Sequence, residues 1–277
     1  RKKVIFDVHE NFAKSFMDKK WIPLVLRRII TFFYPKIERV LIRNFDAIII
    51  AESSYRKHYG NRAIEILNYP ILPKIEISEK NFEEVSNFIY VGGITEDRRI
   101  WELIAIFEII RSKFPSSSLT LVGPFAPESL EDEVRSKIAH LGLGNNIKLL
   151  GRKSLPEVYQ IISESDFGFS LLKPIGNYYE SLSTKIFDYM ILGVPFAVSN
   201  FPIYKKYVIE AKTGVVVNEE SIAETAGSII ELMKDKKRLE EMSNNGRKQT
   251  GMNWNWTGEE TKLLEIYRNF VWLNIIN

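Results

Sequence analysis

The chain contains no cysteine. Disulfides and thiolate-ligated metal sites are therefore excluded, and the composition is compatible with a reducing compartment. Histidine is scarce too: His9, His58 and His140 stand far apart and make no metal-ligand cluster. No run of about 18 apolar residues occurs, so no segment reads as a transmembrane helix. There is no Asp-x-Asp pair to hold a divalent cation beside a phosphate. Net charge is only +3 over 277 residues, which argues against a dedicated nucleic-acid binder. The chain begins at Arg1 and opens directly into a strand-like run, as expected of a piece of a longer protein, so the lack of a leader excludes nothing.

What is present suffices for two domains, since 45% of the residues are apolar. Charge is unevenly spread. Residues 1–50 carry 11 Lys/Arg against 5 Asp/Glu, a net +6, and the remainder is −3. An anionic partner is expected to meet the N-terminal part.

Val4–Val8 reads as a buried parallel strand ending in His9-Glu10-Asn11. Ligands collect at the carboxyl ends of such strands, which places His9 and Glu10 to touch one; a histidine held by the loop backbone is the alternative. Phe12–Arg43 mixes apolar and aromatic residues with Lys19, Lys20, Arg27, Arg28, Lys36, Arg39 and Arg43. This suits either an interfacial helix drawn to anionic lipid or a core helix with a basic outer face. Asp46–Ala51 and Ile64–Leu67 are further strands, and Asn68-Tyr69-Pro70 with Pro73 reads as a linker, placing a boundary near residues 70–85.

Beyond the linker, six short apolar strands (88–91, 119–122, 147–150, 167–171, 196–199, 215–217) alternate with helix-like segments (98–114, 129–140, 155–163, 185–192, 204–210). That rhythm predicts an α/β fold with a doubly wound parallel sheet of Rossmann type, its functional residues in the βα loops. Two loops stand out. Gly92-Gly93, directly after a strand and followed by Arg98-Arg99, lets backbone approach a ligand closely; the spacing is not that of a dinucleotide site. The second, Lys173–Asn200, holds a helix over Lys185–Leu192 starting at Ser181, Ser183 or Thr184, whose free N–H groups suit an anion. Ser181, Thr184, Lys185 and Asp188 share one face of that helix. Hydroxyls, a cation and a carboxylate together suit a sugar diphosphate; ordinary capping beside a solvated Lys-Asp face is the plainer alternative. Gly151-Arg152-Lys153 ends a third strand, its two cations equally readable as surface charge.

Glu180-x7-Asp188, followed by Tyr189-Met190 and Gly193-x-Pro195, resembles the donor-site signature of retaining nucleotide-sugar glycosyltransferases of family 4, which have the two-domain GT-B fold. It is similar to the branch reading "slptKlfEYMaaGlPvia" among bacterial polysaccharide and cell-wall transferases. At Asp188 the family has Glu, so the implied ribose contact reaches one methylene less far. Gly92-Gly93…Arg98 resembles the family's "GGi…RGi" loop, in which the Arg pairs with the diphosphate; Arg99 replaces the usual Gly, a change expected to crowd the turn or add a second cation. Val8-His9-Glu10 resembles "YDvHEd", which implies that His9 faces the transferred sugar.

The resemblance implies transfer of a hexosyl group from a UDP- or GDP-sugar to a glycan or lipid-linked acceptor, with no metal and no cofactor. The catalytic residues implied are His9, Arg98, Glu180 and Lys185. Donor binding falls to Gly92, Gly93, Arg98, Arg152, Lys153, Ser181, Leu182, Ser183, Thr184, Lys185 and Asp188. It also implies the latter part of an N-terminal Rossmann-like domain over 1–75, a donor-binding domain over 76–252, and a helix over 253–277 crossing back to the first. About half of that first domain is then missing. The expected location is cytoplasmic, with peripheral attachment to the inner face of the cell membrane if residues 12–43 form the interfacial helix that their composition suits. A nucleotide-sugar epimerase of the same fold and a catalytically silent nucleotide- or glycan-binding subunit are the rival functions. The apolar end, Phe270–Ile276, suits a sheet cover or a membrane contact.

Overall fold

A computed structural model describes residues 2–19, 21–73, 75, 79–218 and 220–275. The side chains of the apolar end, Phe270–Ile276, and Lys20 of the basic segment lie outside the described residues. The chain divides into two compact units, one formed by Arg1–Ile71, Pro174–Leu182 and Asn255–Asn277, the other by Leu72–Lys173 and Ser183–Trp254.

In the first unit, β1 (Ile5–Val8), β2 (Ala47–Ile50) and β3 (Ala63–Glu65) form a parallel sheet in that order. β2 is Ala-Ile-Ile-Ile, buried on both faces, as β-branched residues suit a covered parallel strand. One face packs Val8, Ile48 and Ile50 with Tyr55 and Ala63. The other packs Ala47, Ile49 and Ile66 against Ile266 of the last helix. The basic segment forms two helices, α1 (Phe12–Asp18) and α2 (Leu24–Leu41), followed after β2 by the short α3 (Arg56–Tyr59). Asn11 caps α1 by accepting from the Lys14 N–H.

Of the two readings of the basic segment, a core helix with a basic outer face does not hold for α2. Its large apolar side chains are exposed, and the residue it buries is Glu38. Glu38 is tolerated there because it is saturated: the Tyr34 and Tyr59 hydroxyls donate to Oε1 at 3.1 and 2.9 Å, and His58 Nε2 lies 3.0 Å from Oε2.

The second unit holds a six-stranded parallel sheet: β4 (Asn87–Val91), β5 (Ser118–Val122), β6 (Ile147–Leu149), β7 (Phe167–Ser170), β8 (Phe196–Ser199) and β9 (Val215–Val217). Its spatial order is β6-β5-β4-β7-β8-β9. Helices α4 (Ile100–Lys113), α5 (Leu130–His140), α6 (Leu155–Ser163), α7 (Lys185–Ile191), α8 (Ile222–Met233) and α9 (Lys236–Met252) make the crossovers and outer layers, with a wide π-helical turn over Lys205–Glu210. Beyond these, α10 (Trp256–Ile275) belongs to the first unit. Phe88, Phe167 and Phe169 meet at centroid distances of 5.7–6.0 Å on neighbouring strands, and each such ring contributes roughly 1.5–3 kcal/mol by burial. Ser154 and Glu157 start α6 with a reciprocal capping box.

Helix α4 differs from expectation at its start. Rather than a helix from Arg98, a 3-10 turn spans Glu96–Arg98, Arg99 adopts a left-handed conformation (φ 57°, ψ 39°), and α4 begins at Ile100. A left-handed residue is where glycine costs least, the physical reason a glycine suits this position.

Candidate functional site

The order of the second sheet reverses at β4, which lies between β5 and β7. Loops after β4 and β7 leave in opposite directions at such a point and open a crevice at the strands' carboxyl ends. The Gly92-Gly93 loop follows β4, and α7 lies on the crossover between β7 and β8.

Gly92 has φ +116°, a region closed to most side chains. A Cβ built there would meet Arg98 Nη1 at 3.1 Å and Lys185 Nζ at 3.3 Å. The glycine thus keeps open the point on which both cations close. Behind it, a Cβ on Gly123 would fall 2.0 Å from the Gly92 carbonyl oxygen, so a second glycine is needed for the loop to lie where it does. Arg98 is aimed by two contacts: its N–H donates to Thr95 Oγ1 at 3.2 Å, and Nη1 donates to the Gly93 carbonyl at 3.4 Å. The Tyr90 hydroxyl donates to the same carbonyl at 2.7 Å.

Lys185 is the unusual group. The residue is 8% exposed, its Nζ has no hydrogen-bond partner among the described residues, and it sits 3.9 Å over the Tyr90 ring. Burial pushes the ammonium well below the usual lysine range; the Arg98 guanidinium adds to this and Asp188 opposes it. Asp188 is held up to about 6 by burial, against a hydrogen bond from the Tyr159 hydroxyl at 3.4 Å and the charge of Lys185. Two cations converging, with no carboxylate bonded to the lysine among the described residues, are arranged for an anion: charge-assisted bonds to a diphosphate would supply what the buried ammonium lacks.

The helix start itself behaves differently from the expected capping. Thr184 makes no side-chain cap, and the Ser183 hydroxyl pairs with Ser170 Oγ at 2.9 Å instead. Arg99 does not add a cation to the loop: its guanidinium is buried against Glu102 at 2.8 Å and Glu220 at 3.3 Å. Arg152 and Lys153 are exposed, with Lys153 3.6 Å from Glu157.

The segment Pro174–Leu182 belongs to the first unit. Glu180 is ion-paired with Lys14 at 2.6 Å and with Lys57; these bonds lower its pKa although burial acts the other way. The Ser54 hydroxyl donates to the Glu180 carbonyl at 2.9 Å, Ser181 Oγ lies 3.3 Å from the Tyr55 hydroxyl, and the Leu182 N–H donates to Glu52 at 3.1 Å. His9, at the end of β1, is exposed and lies 3.1 Å from Asp7.

Gly92, Gly93, Arg98, Lys185 and Asp188 therefore gather in the second unit, and Glu180, Ser181 and Leu182 in the first. Sequence reasoning missed three residues. Tyr90 supplies the ring under Lys185, and its phenol, between Ile89 and Val91 in a buried strand, is the signal that a polar partner waits nearby. Tyr159 bonds Asp188 from α6. Glu52 lies two residues past the end of β2, and the rule that pointed to His9 applies equally to it; burial raises its carboxyl to about 7, against the Leu182 N–H.

A six-stranded, doubly wound sheet with a cationic crevice at its reversal point defines a Rossmann-like domain built to receive an anionic ligand. The chain belongs to the glycosyl transferases group 1 family, whose sequence model matches residues 73–249. It is 24% identical over 203 residues to an uncharacterized glycosyltransferase of Methanocaldococcus jannaschii, covering 70% of this chain and 47% of that one. It is 28% identical over 166 residues to the capsular polysaccharide biosynthesis glycosyltransferase CapM of Staphylococcus aureus, covering 59% and 41%. The chain thus spans about half the length of the curated relatives it matches. Among solved structures, it is similar to sucrose-phosphate synthase from Thermosynechococcus elongatus (TM-score 0.74, 17% identity, 96% of this chain and 67% of that one). It is also similar to Anabaena HepE in complex with UDP-glucose (TM-score 0.71, 15% identity, 97% and 73%). These neighbours establish the fold class, the GT-B type of glycosyltransferases.

Proposed function

We propose that this protein transfers a hexosyl group from a nucleotide-diphosphate sugar to a glycan or lipid-linked acceptor, with retention at the anomeric carbon. The observation that carries the reading is the convergence of Arg98 and Lys185 on Gly92, with the lysine ammonium buried and lacking a hydrogen-bond partner among the described residues. As the bond from the anomeric carbon to the diphosphate breaks, the leaving oxygen takes the electron pair and its charge grows. Preorganised cations in a water-poor crevice stabilise that growth more than they stabilise the bound donor. Arg98 suits the planar, two-oxygen grip and Lys185 the single point charge. Asp188 is assigned to the ribose, and His9 and Glu180 to sugar hydroxyls. Arg152, Lys153 and the 181–184 segment complete the donor contacts in this reading.

The match to CapM, named for capsular polysaccharide biosynthesis, supports an envelope glycan as the product. The complex of HepE with UDP-glucose supports a UDP-sugar as the donor. A cytoplasmic location against the inner face of the membrane follows if the acceptor is lipid-linked.

Scanning fluorimetry with UDP, GDP, ADP and dTDP tests the donor site. One nucleotide is expected to raise the melting midpoint of the wild type and to leave Arg98→Ala unmoved. Equal midpoints with every nucleotide would remove the assignment. Incubation with donor alone separates transfer from epimerisation, because an epimerase converts the donor without acceptor.

A further inference from the structure

Helix α2 is built inside out. At 100° per residue, Arg27, Thr31, Tyr34 and Glu38 form one stripe, and Val25, Ile29, Phe32, Phe33, Ile37 and Val40 occupy the opposite face. An ordinary surface helix turns its apolar stripe inward. Here the polar stripe is the inner one. Glu38 is buried and takes Tyr34, Tyr59 and His58, and Arg27 donates to the carbonyls of Ile22 at 2.6 Å and Met17 at 3.1 Å. Tyr34 also receives the rings of Phe12 and Phe16 from α1. All six apolar residues opposite are exposed, Val25 at 71% and Phe32 at 60%, and Trp21, just before the helix, at 81%. A contiguous apolar face of this kind signals a covering surface.

The charges say which surface. Arg28 and Arg39 are exposed along one flank of the apolar face, Lys36 is exposed within it, Lys19 precedes Trp21, and Arg43 follows the helix. The only acid in α2 is the buried Glu38, so nothing on the outer face repels an anion. The Lys36 ammonium lies 3.6 Å over the Phe32 ring and 5.7 Å from the Phe33 ring, a cation held on aromatic surface. Apolar residues, an exposed tryptophan and a flank of cations without acids match the interface of an anionic bilayer, where apolar side chains enter the acyl boundary and cations meet the headgroups.

We propose that the outer face of α2 docks this protein on an anionic lipid surface, with Trp21, Val25, Ile29, Phe32 and Phe33 entering the interface and Arg28, Lys36 and Arg39 meeting headgroup phosphates. The inference deepens the membrane-side location proposed above and rests on that reading only for which membrane face is met; the docking itself is argued from the helix.

The test is sedimentation with vesicles of phosphatidylcholine alone and of an equal mixture with phosphatidylglycerol. Binding is expected on the mixed vesicles and not on the neutral ones. Removing three cations (Arg28→Ala, Lys36→Ala, Arg39→Ala) is expected to weaken binding about a hundredfold, at about 1 kcal/mol per basic residue near an anionic surface. Val25→Ser with Phe33→Ser is expected to abolish it. Both sets are exposed, so melting midpoints and the UDP-induced shift should stay at wild-type values, which separates failure here from failure of the donor site. Trp21 emission, isolated by comparison with Trp21→Phe, should shift to the blue only with mixed vesicles. Three results overturn the proposal: no binding or equal binding to both vesicle types; Trp21 already shielded from a soluble quencher without lipid, which means another part of the chain covers the face; or a dimer that the serine variants dissolve, which means a second copy does.

Discussion

Replacing Lys185 by Met separates stability from binding, because the two effects have opposite signs. A buried ammonium without a hydrogen-bond partner costs roughly 1–3 kcal/mol or more. Its position over the Tyr90 ring returns roughly 0.5–2 kcal/mol, and Asp188 helps to hold the charge. Methionine fills a similar volume, keeps contact with the ring and carries no charge. The ligand-free variant should therefore be more stable than the wild type by about 1 kcal/mol, a rise of about 2–4 °C for a unit of this size. Nucleotide binding should move the other way. Loss of a charge-assisted hydrogen bond of roughly 1.5–3 kcal/mol raises Kd about 10- to 150-fold. Differential scanning calorimetry without ligand and titration calorimetry with UDP measure the two arms. The pH dependence provides a further check. Between the depressed native value of Lys185 and the ordinary lysine value, the unfolded chain holds a proton that the folded chain has released, so wild-type stability rises with pH across that window. The advantage of Lys185→Met should then shrink as pH rises through it. A variant less stable than wild type at pH 7 that still binds UDP with unchanged Kd would refute the reasoning on both counts.

Two other substitutions test local physics. At Arg99, held left-handed at φ 57°, Gly should exceed Ala in stability by about 1 kcal/mol in urea unfolding, the reverse of their order inside a helix; equal midpoints would mean the strain is not there. Glu52 is raised to about 7 by burial, so between the ordinary glutamate value and about 7 the folded state holds a proton the unfolded state has lost, and stability falls as pH rises through that window. Glu52→Gln keeps an oxygen for the Leu182 N–H and removes the charge. Its melting midpoint should gain on wild type between pH 5 and pH 8, and a gap of the same size at both pH values would count against the burial argument.

The second sheet was legible because its information is local. Each strand is a short apolar run, each is followed by a turn and a helix period, and the six observed strands fall within about a residue of those expected. The Gly92-Gly93 loop and Lys185 were legible for a related reason: glycines after a strand and a cation opening a helix have meaning before any partner is known. What did not show was anything that depends on facing. Arg98 was expected inside a helix and instead ends a 3-10 turn, because the left-handed Arg99 interrupts the chain there. Arg99 was left open as a crowding residue or a second cation, and its guanidinium turned inward to Glu102 and Glu220. Helix α2 was left open between an interfacial and a core reading, since a stripe of apolar residues at helical spacing says that one face differs from the other and not which of them points to the core.

The sequence by itself determined the α/β alternation, the absence of thiol chemistry, the excess of positive charge in the first 50 residues and the identity of the two cations, since all of these are properties of composition and short-range order. Only the tertiary structure decided that Arg98 and Lys185, 87 positions apart in the chain, close on a single glycine, that the lysine ammonium is buried over a tyrosine ring, and that α2 turns its polar stripe inward. The reason is one of range. Periodicity and turn chemistry act over a few residues, whereas burial, the field of one charge on another and the choice of a helix's inner face are set by whatever the fold brings alongside.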